Sequence, residues 1–169
     1  MKKLFLFLSL MLVTLMTAQT EQGKFMLETS VIANNMVPNT GLGYTSEKDG
    51  VKVFNIGMNG GYFVQDNLAL KVGVGYGNTR YDGNTISEVF SYRVGLEYHL
   101  VGYVPIEVAW TGSDVSYLNE NPSYLSTQLG YNWFFTNHVG IKPLIRYDIS
   151  LMDNYKDLLS IGVGFNYYF

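Results

Sequence analysis

Alternation of apolar with small or polar residues at the end of the chain constrains the fold more than any other feature. In this segment the apolar positions are Ile161, Val163, Phe165, Tyr167 and Phe169. The positions between them are Ser160, Gly162, Gly164, Asn166 and Tyr168. A period of two residues is that of a β-strand, in which successive side chains point to opposite faces. Residues 68–77 and 90–99 repeat the pattern, so the sequence predicts strands with one apolar face and one small or charged face.

The same test applied to the whole chain predicts eight strands. They are expected at residues 24–34, 51–63, 68–79, 87–100, 104–111, 123–135, 139–151 and 158–169. Most are close to the 9 to 11 residues that a tilted strand needs to cross a bilayer. The predicted connections alternate between short (64–67, 101–103, 136–138) and longer (35–50, 112–122, 152–157), with 80–86 intermediate. We therefore predict an all-β fold, an eight-stranded antiparallel up-and-down transmembrane β-barrel, with periplasmic turns and longer extracellular loops.

The beginning of the chain has the pattern of a cleaved secretory signal peptide. Lys2 and Lys3 precede an apolar run at residues 4–13, and smaller residues follow as far as Ala18. The run is too short for a membrane-spanning helix, which needs about 20 apolar residues. We predict a signal peptide at 1–18, with a retained N-terminal anchor as the alternative, and a single barrel domain at 19–169, a length that suits one domain.

The charged side chains within the predicted strands all fall on the face opposite the aliphatic one. They are Glu28, Lys71, Arg93, Glu97, Glu107, Lys142, Arg146 and Asp148. Alternation alone would also fit a soluble carrier with an apolar lumen. However, the interior of an eight-stranded barrel is only just wide enough for side chains, and the charged face is also the face rich in Gly and Ser. We therefore expect the small and charged residues inside and the apolar residues facing lipid.

Aromatic residues gather near the ends of the predicted strands. Towards the short turns lie Tyr62, Phe63, Tyr98, Tyr103, Trp133, Phe135 and Tyr167. Towards the long connections lie Phe54, Tyr76, Phe90, Tyr92, Trp110 and Tyr147. Two aromatic girdles mark the two membrane–water interfaces of a membrane barrel. We expect the strand that runs to Phe169 to pair with the first strand, because an unpaired sheet edge is costly in lipid.

The eight inward charges are four acidic and four basic, which predicts a neutral network of ion pairs that fills the lumen. Glu97 and Glu107 flank one short turn, so we expect them to face each other, with Lys71 or Arg93 as the neutralising cation. Removing one member of a buried ion pair typically costs about 3 to 5 kcal/mol. We therefore expect the network to hold the barrel rigid; a narrow conducting path is the alternative.

Two short stretches resemble a known family. The ending at residues 164–169, with Gly164, Tyr167 and the terminal Phe169, resembles the C-terminal signal that the outer-membrane barrel assembly machinery recognises. Gly162 departs from that signal, because a polar residue is expected there. Residues 61–70 resemble the first periplasmic turn of the small outer-membrane β-barrels that include OmpX-like and OmpA-barrel-like proteins. The resemblance implies the outer membrane of a Gram-negative bacterium and the assembly machinery as a partner.

Several kinds of chemistry are not expected from the residue content. The chain has no cysteine, so a disulfide, a thiolate metal site and an acylated lipoprotein cysteine are excluded. Lipid-modifying barrel enzymes use catalytic Ser and His near the outer leaflet, but the two histidines, His99 and His138, map to the predicted periplasmic turns. We expect them to be turn or interface residues and expect no catalytic residue, metal or cofactor. Acidic residues outnumber basic ones, 14 to 11, so nucleic acid is not an expected partner.

The predicted extracellular connections are acidic overall. They carry Glu47, Asp49, Asp82, Glu88, Asp114, Glu120, Asp153 and Asp157 against Lys48, Lys52, Arg80 and Lys156. The simplest explanation is a solvated surface; the alternatives are divalent cations shared with lipopolysaccharide or a basic extracellular partner. We predict a monomeric, non-enzymatic barrel with a structural or surface-interaction role. A small porin-like channel for water, ions or hydrophobic solutes is the alternative, and a lipid-modifying enzyme is less favoured. The fold alone does not choose among these functions.

Overall fold

The computed structural model of the protein describes residues 20–33, 39–46, 50–116 and 120–169. Ten strands lie in these ranges and form one antiparallel sheet. They are β1 (Phe25–Ile32), β2 (Gly43–Ser46), β3 (Val51–Gln65), β4 (Leu68–Tyr81), β5 (Asn84–Leu100), β6 (Val104–Val115), β7 (Ser123–Gly130), β8 (Trp133–Phe134), β9 (Val139–Ser150) and β10 (Leu158–Tyr168). The predicted signal peptide at 1–18 lies outside the described residues.

Eight of these strands close into a barrel. Each wall strand pairs with its neighbours in chain order, and β1 closes the ring by pairing with both β3 and β10. The closing register runs from Met26 opposite Tyr168 to Ile32 opposite Gly162. In the described ranges no helix is long and apolar enough to cross a membrane. The prediction of an eight-stranded antiparallel barrel is confirmed.

The two faces of the wall differ as the alternation predicts. Outward side chains are apolar and exposed, as at Val72, Ile145 and Val163, while the inward side chains beside them are buried. An exterior of this kind is stable in lipid, where the backbone hydrogen bonds of a closed barrel need no partner from the solvent. The protein therefore has its charged groups inside and its apolar groups outside.

The connection between β4 and β5 is much shorter than predicted. Tyr81 pairs with Asn84, so only Asp82 and Gly83 form the turn, both with positive φ. An Asp-Gly pair is the preferred sequence of a two-residue hairpin turn. The prediction of an intermediate loop at 80–86 was wrong, and this hairpin extends the wall on the side predicted to be extracellular, opposite the end predicted to be periplasmic.

The seventh predicted strand, 123–135, is interrupted. β7 ends at Gly130, and the two residues of β8 pair separately with β9. Between them Tyr131 donates to the carbonyl of Pro143 at 3.1 Å, so the register with β9 continues, while the backbone amide of Asn132 donates to the carbonyl of Tyr103 at 2.6 Å. Asn132 therefore keeps the inward phase of Gln128 and Gly130, and its buried side chain lies at the periplasmic end of the lumen.

The first connection, predicted as a loop at 35–50, contains a strand and a segment that enters the barrel. β2 pairs with β3 above the point where the β1–β3 pairing ends at Glu28 and Asn59. Just before β2, Leu42 bridges Val31 of β1 in parallel. Leu42 therefore lies beside β1 and residues 43–46 lie beside β3 in the extracellular half of the wall, while residues 39–41 are buried inside it.

Candidate functional site

The lumen is the part of the molecule where chemically active side chains converge. All eight of the predicted inward charges point into it, and each of them is buried. Six of the eight form a charged layer across the barrel: Glu28, Lys71, Arg93, Glu97, Glu107 and Lys142. They come from β1, β4, β5, β6 and β9, so the layer connects strands on opposite sides of the barrel.

Lys71 lies at the centre of the charged layer and is 1% exposed. Its Nζ donates to Glu28 Oε2 at 3.1 Å. It also donates to Oε2 of Glu97 and of Glu107, both at 2.9 Å. An ammonium group has three N–H donors, so three carboxylates use all of them.

The other cations of the layer complete the neutralisation. Lys142 donates to Glu28 and, at 2.9 Å, to Glu97. Arg93 Nε donates to Glu107 Oε1 at 2.7 Å, and the amide of Gln128 donates to the other oxygen of that carboxylate at 3.3 Å. Three cations thus face three carboxylates, which is the condition under which buried charges are tolerated.

A second, smaller ion pair lies nearer the extracellular end. Arg146 Nε donates to Asp148 Oδ2 at 2.8 Å, and the hydroxyl of Ser126 donates to Oδ1 of the same carboxylate. Ser126 is in turn 3.0 Å from the hydroxyl of Thr111. Arg146 and Asp148 therefore form a group with neighbouring hydroxyls beside the charged layer.

His99 is part of the lumen, and its predicted position in a turn or at the interface was wrong. β5 continues to Leu100, and His99, fully buried, lies on the same inward face as Glu97. Its Nε2 is 2.9 Å from Glu97 Oε1, and its Nδ1 is 3.2 Å from Asn132 Nδ2. Because an amide Nδ2 can only donate, we assign Nδ1 as the acceptor and Nε2–H as the donor to Glu97. His138, in contrast, is exposed in the turn after β8.

Below the charged layer an apolar layer closes the periplasmic end. Its members are Met26, Phe63, Ala69, Phe134 and Tyr168, with Tyr103 packed against them. The Phe63 ring is fully buried and lies 5.4 Å from the ring of His99, so its predicted place in the lipid-facing girdle was wrong. The Tyr168 hydroxyl accepts from Asn132 at 3.1 Å, which connects this layer to the polar groups above it.

Above the charged layer, residues 39–41 occupy the lumen. Thr40 Oγ1 donates to Asn59 Oδ1 at 2.7 Å, and the backbone amide of Asn39 donates to Ser91 Oγ at 3.2 Å. Two inward glycines make room for this backbone. A Cβ at Gly57 would lie 2.8 Å from Thr40 Cα, and one at Gly75 would overlap the carbonyl of Asn39. The inward glycines thus allow the backbone of this segment to approach the wall.

The predicted assembly residues lie at the periplasmic end of β10. Gly164 faces the lumen, where a Cβ would be 3.4 Å from Lys142. Tyr167 and Phe169 face outward and are half exposed, with ring centroids 4.8 Å apart. The amide of Phe169 donates to the carbonyl of Phe25 at 2.9 Å, so the last residue is paired with the first wall strand.

Carboxylates on the extracellular side bond to neutral donors. Glu88 accepts from the Tyr76 hydroxyl at 2.7 Å, and Asp157 accepts from the Tyr147 hydroxyl at 2.9 Å. Glu120 accepts from the amide of Asn154 at 2.9 Å. In the part of the chain that the structure describes, no three His, Asp or Glu side chains are placed to hold a metal ion. Glu47, Lys48 and Asp49 lie outside that part.

Comparisons with solved structures give the same architecture. The N-terminal β-barrel domain of Pseudomonas aeruginosa OprF is similar with a TM-score of 0.55 and 15% identity, over 88% of this chain and 98% of that one. The chain has the fold of the small outer-membrane β-barrels. Ail of Yersinia pestis (TM-score 0.51, 13% identity, 88% and 100% covered) and OprG of Pseudomonas aeruginosa (0.52, 9%, 88% and 97%) share this barrel.

The similarity is one of structure and not of sequence. No protein-family model matches the chain, and no curated protein matches it in sequence. The barrel therefore shares its wall with these proteins, while the arrangement inside its lumen has to be interpreted from its own residues.

Proposed function

We propose that this chain is a closed, non-enzymatic barrel of the outer membrane of a Gram-negative bacterium, with a structural or surface-interaction role. The observation that carries the proposal is the filling of the lumen at three successive levels. Residues 39–41 lie at the extracellular level, the charged layer in the middle, and the apolar layer at the periplasmic end.

Each level is held by contacts that a conducting path would have to break. At the middle level, Lys71 would have to leave three carboxylates that are themselves at most 3% exposed. A cation or a row of water molecules could pass only if Lys71 and these carboxylates became solvated. The apolar layer below offers few groups to solvate an ion. The charged layer also contains equal numbers of positive and negative side chains, whereas ion-selective pores are usually lined by charges of one sign.

Single-channel recording of the refolded protein in planar bilayers tests the proposal. We expect no discrete conductance steps. Insertion is established separately by flotation with lipid vesicles and by a heat-modifiable band on a gel, so that a silent recording reports a closed lumen. Reproducible unitary steps from inserted wild-type protein would overturn the closed-barrel proposal.

A small channel is the second candidate, and one observation favours it. Arg93 Nη2, Ser160 Oγ, Asn39 Nδ2 and Asn166 Oδ1 are buried without a hydrogen-bond partner among the described residues. Such groups usually contact water, which suggests that the lumen is hydrated at several levels. Proton or water permeation through liposomes containing the inserted protein would support this candidate even when ion conductance is absent.

An enzymatic role has less support from the described side chains. Both ring nitrogens of His99 are used, one by Glu97 and one by Asn132. A general base for a serine nucleophile needs one ring nitrogen within hydrogen-bond reach of the hydroxyl. Ser126, a buried serine of the lumen, instead contacts Asp148 and Thr111, which is a structural arrangement.

The remaining partners are part of the same proposal. The apolar exterior suits outer-membrane lipid, and the acidic extracellular side chains suit either lipopolysaccharide bridged by divalent cations or a basic extracellular partner. The C-terminal residues Gly164, Tyr167 and Phe169 are proposed to be read by the assembly machinery. The protein is expected to act as a monomer.

A further inference from the structure

Two glycines lie on the outward face of the wall, and the structure treats them differently. Gly112 is opposite Tyr92 on β5, and the ring of Tyr92 covers it so closely that a Cβ would lie 2.6 Å from Cζ. Gly60 is opposite Leu27 and Val72, and the nearest atom to a Cβ there would be Leu27 Cδ2 at 4.0 Å. The outer wall therefore has an uncovered depression at Gly60.

The depression is the floor of an apolar groove of about 620 Å³. Leu27 and Val72 flank it, and Phe25, Tyr62 and Phe169 form its periplasmic end. Binding sites for small molecules have volumes of this order. An empty space this large in a lipid-facing wall would lose dispersion contacts with its lining, so an apolar occupant is required.

The direction of the groove indicates what the occupant is. Its periplasmic end lies in the aromatic girdle, where the rings of Phe25 and Tyr62 are 4.8 Å apart. Beyond the girdle are exposed polar groups, among them Asp66, whose Oδ1 accepts from the backbone amide of Gln22 at 2.8 Å. The groove therefore begins at the membrane–water interface and rises from there into the apolar belt, as the acyl chain of a membrane lipid does.

A second copy of the chain fits the groove poorly. A two-fold dimer with the groove on its axis would place one concave surface against another and fill neither. Lipopolysaccharide is excluded by position, because the groove lies on the periplasmic side of the wall and that lipid occupies the other leaflet.

We infer that the groove over Gly60 binds one acyl chain of a phospholipid from the periplasmic leaflet. The inference rests on the proposed placement of the barrel in the outer membrane. Gly60 makes the groove deep, because any side chain there would fill its floor. The aromatic residues of the girdle position the acyl chain where it enters the groove.

Native mass spectrometry tests the inference. Wild-type protein is refolded into vesicles of phosphatidylethanolamine and phosphatidylglycerol, extracted into detergent, and its retained phospholipid is measured as collision energy rises. We expect one tightly retained phospholipid per barrel. Gly60→Leu, which fills the floor, and Val72→Phe, which narrows the groove from β4, should each lower retention several-fold. Val108→Phe adds similar bulk to the β6 wall and should leave retention unchanged.

The outcomes separate the groove from the membrane placement. Equal retention by inserted wild-type, Gly60→Leu and Val72→Phe proteins would overturn the groove assignment alone. A dimer that Gly60→Leu dissociates would overturn it in favour of a second copy. Failure of the wild-type protein to insert into vesicles would overturn the membrane placement and the groove assignment together. A heat-modifiable band for each variant establishes that it is folded.

Discussion

Glu97 and Glu107 lie directly opposite each other on β5 and β6, and both carboxylates bind the ammonium group of Lys71 at 2.9 Å. Two buried carboxylates in register would repel each other and lack solvation. Lys71 comes from the neighbouring strand β4 and removes both penalties at once. Lys71 thus joins carboxylates from three other strands, because it also binds Glu28 of β1.

The first prediction is that Lys71→Ala destabilises the barrel strongly. Removing Lys71 leaves Glu97 and Glu107 facing each other with less positive charge nearby, and breaking a buried ion pair typically costs about 3 to 5 kcal/mol. Urea titration of folding into vesicles measures the free energy of unfolding. Lys156→Ala removes an exposed lysine and should change that free energy by less than about 1 kcal/mol.

A coupled variant separates charge from packing. Lys71→Met with Glu107→Gln removes one charge of each sign and keeps the approximate volume. It should recover part of the stability that Lys71→Met alone loses, because the two sites are in direct contact. If the double variant loses as much free energy of unfolding as the two single variants together, the proposed electrostatic role of Lys71 is contradicted.

Much of this layer follows from the sequence, because strand alternation assigns each residue to a face. His99 and Phe63 are on the inward phase of their strands, but their positions beside predicted turns favoured a turn histidine and a girdle aromatic. The structure shows that alternation continues to the strand ends. Asn132 also keeps the inward phase of its predicted strand. Residues 39–41 have no such local signal, since their places depend on contacts with distant strands. The inward glycines predicted a narrow lumen, but not the backbone segment that enters it.

The second prediction concerns that inserted segment. Gly75→Val places a side chain where the carbonyl of Asn39 lies. Because this overlap involves backbone, we expect residues 39–41 to leave the lumen, with loss of the hydrogen bond to Ser91. Overpacking of this kind costs about 1 to 3 kcal/mol. Hydrogen exchange at the amides of residues 39–41 should rise, and urea titration gives the cost.

Gly164→Ala is the matched control for Gly75→Val. This substitution also adds a side chain at an inward glycine, but the new Cβ would lie 3.4 Å from Lys142, an ordinary contact distance. Hydrogen exchange at the amides of residues 39–41 in Gly164→Ala should equal that of the wild type. Slow exchange at those amides in Gly75→Val would show that the segment does not depend on the glycine.

The third prediction concerns the turn between β5 and β6. Val101 has a φ of 46° and is 75% exposed, and Gly102 follows it with a φ of 79°. A β-branched residue is strained in this left-handed region, whereas Asn-Gly is the preferred pair for such a turn. Val101→Asn should therefore stabilise the barrel by about 1 kcal/mol. Val101→Ile, with the same strain, should give no gain, and equal stability of the two variants would contradict this account.

The fourth prediction tests which face meets lipid. Val163 is on the outward face of β10 and is 40% exposed. Val163→Arg should lower the free energy of unfolding from vesicles by about 2 to 4 kcal/mol if the site lies near the bilayer midplane. Val163→Leu should have little effect. A soluble carrier would tolerate the arginine equally well, so unchanged folding in the presence of lipid would contradict the outward assignment.

The fifth prediction concerns assembly and separates delivery from stability. Phe169 packs against Tyr167 and pairs with Phe25, but its ring is 54% exposed, so its loss removes at most about 1.5 to 3 kcal/mol of apolar burial. A recognition signal at the end of the chain would have no replacement elsewhere. Deletion of Phe169 should therefore leave refolding into detergent micelles largely intact and sharply reduce the heat-modifiable protein in the outer-membrane fraction of cells. Phe165→Ala removes another outward, half-exposed aromatic from the same strand and should reduce it much less. Wild-type levels of the deletion variant in that fraction would refute the predicted C-terminal signal.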